Sequence, residues 1–306
     1  MSYQSIGIIG LGALGTSMGR LLLEDGFKVH GNDLDISRCD LLAAEGVTIH
    51  STAKAVAEAA DVVVLSLPNS ESSKAVCMGR GGICEADKPG MLVIDTTSGY
   101  PDTTKQIAAA LAENQMRIID ATITGEKGGS IALPERALTW CVGGADADVA
   151  EAQPLLESMS NYFFHVGPLG AGQIIKMVNN MVGAAAGLAT MEGLLSAAKH
   201  GIDVRKAAQV LDKGTGMSFF SHNPALMFND LPNGAGFQLG LMTKDLRHMS
   251  KFAHESDVPC LMIDQTFHMF ELMVRKMGYD ADILSQTEVM QEWAGVKFDG
   301  TPITRQ

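Results

Sequence analysis

Residues 7–26 read GIIGLGALGTSMGRLLLEDG. An apolar run at 6–9 meets the motif G-x-G-x-x-G at Gly10, Leu11, Gly12, Ala13, Leu14 and Gly15, and a helix-like stretch at 13–24 follows. The first glycine of such a loop permits a tight turn. The second lets the backbone approach a pyrophosphate, and the third lets the helix pack close to the strand. The helix N-terminus then offers free N–H groups to phosphate. An acid falls where a ribose would lie: Asp33, at the end of the next strand-like run. A carboxylate there bonds the ribose hydroxyls and repels a 2′-phosphate, so NAD is expected over NADP. Arg38 stands nearby. Residues 15–19, GTSMG, also fit the hydrolase pattern G-x-S-x-G, but the helix after the loop explains the same letters and no partners for Ser17 are indicated.

Working outward, β-rich runs at 6–9, 28–31, 61–65, 92–95, 116–120, 138–142 and 162–166 alternate with helix-like stretches at 13–24, 37–45, 70–77, 102–113 and 147–159. This rhythm predicts an α/β fold, a Rossmann-type doubly wound and mostly parallel sheet. The unbroken Val62-Val63-Val64-Leu65 fits a central strand buried on both faces. After Gly167 the rhythm stops. Residues 170–200 predict one helix about 45 Å long, and further helices are expected at 204–211, 241–255, 260–276 and 283–294. The expected organisation is a dinucleotide-binding domain over 1–166 and an all-α substrate and oligomerisation domain over 167–306, entered by one long interdomain helix.

The 306 residues suffice for two cores. Apolar residues make up 46% and the formal net charge is −12. An acidic chain argues against general binding to nucleic acid or an anionic membrane. The five cysteines, Cys39, Cys77, Cys84, Cys141 and Cys260, form no C-x-x-C pair and are expected to be reduced cytoplasmic thiols. No signal peptide is read at the N-terminus. The apolar stretch 181–198 carries Glu192 and many small residues and reads as a buried helix, not a membrane span. His165, His248, His254 and His268 show no metal-ligand spacing with acids or cysteines, so no metal is expected. The 18 methionines suggest adaptable helix packing.

Residues 167–181 read GPLGAGQIIKMVNNM. Lys176 and Asn180 are four apart and share one helix face. Oxidising a hydroxyl requires loss of a hydride and a proton. A lysine can take the proton as the neutral amine, or give it back as the ammonium, once burial or a nearby cation lowers its pKa from about 10.4. Lys244 is a candidate for that cation, and an alkaline optimum for oxidation is expected. Phe219, Phe220 and His222 follow a glycine-rich turn and read either as a loop over the substrate or as core and capping residues.

The loop, Asp33 and the Lys176 segment together resemble the β-hydroxyacid dehydrogenase family, whose members include 3-hydroxyisobutyrate dehydrogenase and tartronate semialdehyde reductase. Six ordered blocks carry the resemblance over about residues 5–297: the opening loop, Leu67-Pro68, Asp95-Thr96-Thr97-Ser98, DATITGE at 120–126, Gly172 through Asn180, and LMTKDL at 241–246. The resemblance implies that Lys176 is the catalytic acid/base and that Asn180, Ser98, Thr124, Gly125 and Glu126 meet the substrate. It implies that Leu67, Pro68, Ser98 and Lys244 border the cofactor, with Asp245 beside Lys244. It also implies a C-terminal domain similar to that of 6-phosphogluconate dehydrogenase. The family usually reads S-G-G where this chain has Thr124-Gly125-Glu126. A carboxylate at 126 would repel a substrate carboxylate, so either Glu126 points away or the substrate carries a cation or hydroxyls there.

The expected activity is NAD-dependent interconversion of a small β-hydroxy acid and its oxo or semialdehyde form. Imine reductases share the two-domain plan but generally lack a lysine at position 176. A non-catalytic dinucleotide-binding module is the rival from another class, and Lys176 and Asn180 speak against it. The apolar surface of the long helix predicts a homodimer or homotetramer.

Overall fold

The run Ser5–Ile9 forms the first strand, β1, because its β-branched side chains alternate between two buried layers. The computed structural model describes residues 3–125, 135–232 and 234–304. The chain divides into two compact units, Met1–Lys176 and Met177–Gln306.

In the first unit, β1 is followed by α1 (Ala13–Glu24), β2 (Lys28–Asn32), α2 (Ile36–Ala44), β3 (Thr48–Ile49), α3 (Ala53–Ala59), β4 (Val62–Leu65) and α4 (Ser70–Met78). Then come β5 (Leu92–Asp95), α5 (Pro101–Glu113), β6 (Arg117–Thr124), β7 (Thr139–Gly143), α6 (Asp146–Glu157) and β8 (Tyr162–Gly167). Among the described residues the eight strands form one sheet of order β3-β2-β1-β4-β5-β6-β7-β8. The pairings are parallel except β6–β7, which is antiparallel. The order reverses at β1–β4, and in such sheets ligands bind beyond the strand ends at this switch point. The doubly wound sheet expected from the sequence is therefore present. β3 and α3 are additions, too short to show a period.

Helices cover both faces. Ile6, Ile8, Val62, Val64 and Trp140 pack with Leu22 of α1, Leu42 of α2 and Leu156 of α6. Ile9, Val63, Leu65 and Val93 pack with Val56 of α3, Cys77 of α4 and Leu111 of α5. Val62 through Leu65 are all buried, as a strand sandwiched between helices requires.

The long helix α7 (Ala171–Lys199) passes from the first unit into the second. In the second unit it is followed by α8 (Val204–Lys213), α9 (Phe219–His222), α10 (Pro224–Met227), α11 (Leu239–Glu255), α12 (Leu261–Met277) and α13 (Ser285–Ala294). Met191, Leu194, Met227, Leu246, Phe270, Met273 and Val289 make their core. Phe220 is part of it: a Cβ on Gly187 would lie 2.6 Å from its ring. Of the two readings of that aromatic segment, the core role holds for Phe220.

Several helices here start on local caps: Asp35 accepts from Ser37 N–H, Thr52 from Ala55 N–H and Asn69 from Ser72 N–H. Helix α7 instead takes its cap from a strand 50 residues upstream. Asp120 in β6 accepts from Gly170 N–H at 2.6 Å and from Gln173 N–H at 2.8 Å. Thr122 donates its hydroxyl to Gly172 C=O at 2.7 Å. Gly172 is glycine because a Cβ there would stand 2.2 Å from the Cys141 carbonyl oxygen and 2.8 Å from Oδ2 of Asp120. The helix start is thus fixed against β6 and β7 by three bonds and a contact no side chain could occupy.

Burial pushes the Asp120 carboxyl up to about 6, against the lowering pull of the two N–H donors, and burial pushes Asp95 up to about 6 as well. An acid whose folded pKa lies above its unfolded value near 3.8 keeps extra protons in the native state between those values. Its contribution to stability is therefore full below about pH 4 and falls as pH rises to about 6. We expect Asp120→Ala to lower the unfolding free energy near pH 5 by about 2–4 kcal/mol, because two buried N–H groups lose their acceptor. Asp120→Asn should also flatten the pH 4–6 decline by up to about 1.4 kcal/mol per pH unit. Denaturant titrations across that range test both; an unchanged slope in Asp120→Asn would remove the assignment.

Candidate active site

In the first unit, the loop after β1 combines two crowded glycines and an open one. Gly10 has φ +94°, and a Cβ there would come 2.2 Å from the Ser66 carbonyl oxygen. A Cβ on Gly15 would fall 1.9 Å from the Gly10 carbonyl oxygen. A Cβ on Gly12 would meet only Nη1 of Arg38, at 3.6 Å. Gly12 also begins α1 without a side-chain cap, so the first-turn N–H groups face that open space. This is a cradle shaped for a pyrophosphate, and the residues fit the group the motif implies. Leu11, Ala13 and Leu14 complete the loop, and Leu11 is buried.

Asp33, just past β2, accepts from Leu11 N–H at 2.6 Å and from Asp35 N–H at 2.8 Å. Its carboxylate is thereby placed at the loop, as a ribose ligand requires. The Arg38 guanidinium lies 3.8 Å from Asp33 and 3.3 Å from Asp35, so its charge is shared between two acids. Ser17 donates to the Ala13 carbonyl one turn back, an ordinary interior helix bond.

The loops after β4 and β5 are bonded to each other. Leu67 N–H donates to the Thr97 hydroxyl at 3.2 Å, and Thr97 N–H donates to Asp95 at 3.0 Å. Ser73 donates to Thr97 at 3.2 Å, and Thr96 donates to the Leu65 carbonyl at 2.7 Å. Buried Asp95 and Thr97 therefore hold the loops that carry Leu67, exposed Pro68 and half-buried Ser98.

Thr124 ends β6 opposite Thr139, and Gly125 follows, both half-buried. Glu126 lies outside the described residues. Lys176 is half-buried one turn after Gly172, beside β7. Burial raises the Cys141 thiol pKa, and the positive charge of Lys176 pulls against that rise. The structure thus brings Lys176 to the β6–β7 pair whose end carries Thr124 and Gly125. Sequence reasoning assigned no role to Asp120, Thr122 or Gln173, which set this placement. Gln173 accepts from Thr104 at 3.0 Å, and its buried Nε2 has no hydrogen-bond partner among the described residues.

In the second unit, Asn180 is 7% exposed and donates from Nδ2 to Asp245 at 2.7 Å. The other Asp245 oxygen lies 3.2 Å from the Lys244 ammonium. Lys244 and Asp245 side chains are 16% and 4% exposed, so this pair is sunk in the protein instead of lying on the surface. Burial, then the Lys244 charge, lowers the pKa of His248 one turn on. Asn180, Asp245 and Lys244 form one bonded row that sequence spacing alone could not join.

Residues 5–167 match the family described as the NAD binding domain of 6-phosphogluconate dehydrogenase. Residues 170–290 match the family described as NAD-binding of NADP-dependent 3-hydroxyisobutyrate dehydrogenase. The chain is 31% identical to 2-(hydroxymethyl)glutarate dehydrogenase of Eubacterium barkeri, over 96% of this chain and 97% of that one. It is 30% identical to the NAD-dependent L-serine dehydrogenase of Pseudomonas aeruginosa, over 90% and 94% of the two chains. Among solved structures, Mycobacterium tuberculosis 3-hydroxyisobutyrate dehydrogenase with L-serine superposes with a TM-score of 0.84 at 26% identity, covering 94% of this chain and 99% of that one.

The glycine geometry separates binding from folding. Gly12→Ala is expected to keep the fold and to weaken NAD binding by about tenfold or more, because its Cβ fills the phosphate approach. Gly10→Ala should lower stability by about 2 kcal/mol or more, from positive φ and backbone overlap. Calorimetric NAD titration and thermal melts of both variants distinguish the effects; equal NAD affinity in Gly12→Ala would refute the cradle.

Proposed function

The chain belongs to the β-hydroxyacid dehydrogenase family, and we propose from that premise that it interconverts a small β-hydroxy acid and its oxo or semialdehyde form. The observation that carries this reading is one unit holding both an open dinucleotide cradle at Gly12 and Lys176 on a helix start anchored by Asp120.

NAD, when bound, supplies the nicotinamide that accepts the hydride. Gly10 through Gly15 hold its pyrophosphate, and Asp33 holds the ribose and disfavours a 2′-phosphate. Leu67, Pro68 and Ser98 border it, and Lys244 is its contact from the helical segment. Lys176 takes the proton from the substrate hydroxyl as neutral amine and returns it in the reverse direction. Burial keeps neighbouring Cys141 in the thiol form at neutral pH, so no thiolate there stabilises the ammonium. Thr124, Gly125, Ser98 and Asn180 orient the substrate, with Asp245 fixing the amide of Asn180. Glu126 stands where the family usually has glycine, and a hydroxy-amino acid, whose ammonium it would meet, is the first substrate to try. L-Serine is named for two of the similar proteins.

The division near residue 166 into a dinucleotide-binding and a helical domain is part of this reading, as is a cytoplasmic location. Helix α7 is long and apolar enough to cross a membrane, yet half of its most apolar window is buried inside the protein. Ile175, Val178 and Val182 are 40%, 36% and 59% exposed on it, and a second copy of the chain covers them in this proposal. A sedimentation profile that stays monomeric at micromolar concentration would remove the oligomer.

Lys176→Ala is expected to lower kcat for oxidation by about 10²–10⁴-fold with NAD affinity kept. Lys176→Arg should be equally impaired, since a guanidinium keeps the charge but cannot give up its proton. NADH formation across 3-hydroxyisobutyrate, 2-(hydroxymethyl)glutarate and L-serine, from pH 7 to 10, tests this. Rates that rise with pH in wild type and vanish in both variants support the assignment; full activity in Lys176→Arg would end it.

A further inference from the structure

The helical hairpin of α11 and α12 gathers three different metal-ligand side chains that no step of the reaction uses. His254 lies in the last turn of α11, Cys260 caps α12, and Asp264 stands one turn into it. Sequence spacing showed no metal pattern, because the connection between the helices turns back on itself at Asp257, with φ +55°. The candidate ligand atoms all lie within 4.8 Å of one another. The Cys260 sulfur is 3.4 Å from His254 Nε2 and 3.3 Å from Asp264 Oδ2, and that Nε2 lies 3.5 Å from Oδ2. A tetrahedral ion with Zn–N and Zn–O near 2.0–2.1 Å and Zn–S near 2.3 Å requires ligand–ligand edges of about 3.3–3.6 Å. The three edges fall in that range, and because the sulfur is also 3.4 Å from Nδ1, a turn of the exposed imidazole is needed to bring the Nε2 lone pair onto the ion.

The surrounding bonds orient each ligand. Nδ1 of His254 is 2.8 Å from the Ser250 carbonyl oxygen, an acceptor only. That fixes the proton on Nδ1 and leaves the lone pair of Nε2 available to an ion. The Ser250 hydroxyl donates to Oδ1 of Asp264 at 2.7 Å, leaving Oδ2 as the inward oxygen. One residue thus sets the tautomer of the imidazole and the rotation of the carboxylate, the outer-shell arrangement that metal sites use. Cys260 is 8% exposed, while the His254 side chain is 60% exposed and leaves the cluster open to entry from solvent.

We propose that His254, Cys260 and Asp264 form a binding site for a borderline divalent cation of the Zn²⁺ class, which clips α11 to α12. One nitrogen, one sulfur and one oxygen suit Zn²⁺ and disfavour Mg²⁺ or Ca²⁺, which take oxygen ligands. Water fills the fourth position. A cysteine–histidine nucleophile is the other reading of these residues. It fits less well, because the Cys260 sulfhydryl donates to the Asp264 carboxylate at 3.3 Å, and an anion at that distance disfavours a reactive thiolate. A cation reverses this balance by taking the thiolate directly and releasing its proton.

The test uses the full chain, stripped with a chelator and kept reduced, and titrated with ZnCl₂ alone. Wild type should bind one equivalent saturably, with a rise in melting temperature. Titration with Co²⁺ in place of Zn²⁺ should produce a thiolate-to-metal charge-transfer band. His254→Gln, at an exposed side chain that leaves the fold intact, should weaken Zn²⁺ binding about tenfold or more, and Cys260→Ser should abolish the Co²⁺ band. Ser250→Ala should weaken binding about 10–100-fold through the two ligands it orients. Cys84→Ser should bind as wild type. Absence of saturable Zn²⁺ binding, equal affinity in His254→Gln, or tighter binding of Mg²⁺ than of Zn²⁺ would overturn the proposal.

Discussion

The Asp120 carboxylate on the N–H groups of Gly170 and Gln173 is the constraint from which the site follows. A helix N-terminus carries partial positive charge and unsatisfied donors, and a carboxylate answers both. Here the acid is fully buried, so desolvation opposes the arrangement while the donors favour it. Thr122 and Gly172 add a second bond and a close backbone approach at the same point. Together they fix where α7 begins on the sheet, and through the helical repeat they fix the direction of Lys176.

Much of the first unit was legible in the sequence because its signals are local. The strands at 28–32, 62–65 and 92–95 and the helices at 13–24 and 70–78 fall within a residue or two of the apolar runs that announce them. Gly10 and Gly15 are readable because a tight turn and a close helix leave few other residues possible. Hidden from the sequence were facts resting on distant pairs. Nothing in DATITGE says that Asp120 caps a helix 50 residues later. Nothing in LMTKDL says that Asp245 bonds Asn180, or that the Lys244–Asp245 pair is buried. The antiparallel pairing of β6 with β7 was likewise unreadable, since strand periodicity carries no direction.

The two units use buried charge differently. In the first, Asp95 and Asp120 are each surrounded by neutral donors: hydroxyls and backbone N–H groups for one, backbone N–H groups for the other. These acids hold backbone in place without a partner of opposite sign among the described residues. In the second, the Asp245 carboxylate sits between an amide and an ammonium. A buried ion pair of this kind contributes little net stability, but it specifies one arrangement of the side chains that make it. The scaffold is thus set by dipoles on the sheet side and by a charged row on the helical side.

Because α7 is one uninterrupted helix from Ala171 to Lys199, its length is as constrained as its composition. Each added or lost residue turns everything beyond it by about 100° and moves it about 1.5 Å. A single insertion between Lys176 and Asn180 would turn Asn180 by about 100° relative to Lys176, while Asp120 still held the helix start. Substitutions along α7 change one contact at a time, whereas insertions and deletions change the phase of the whole helix. Insertions and deletions are therefore expected to be better tolerated in segments outside α7 than within it.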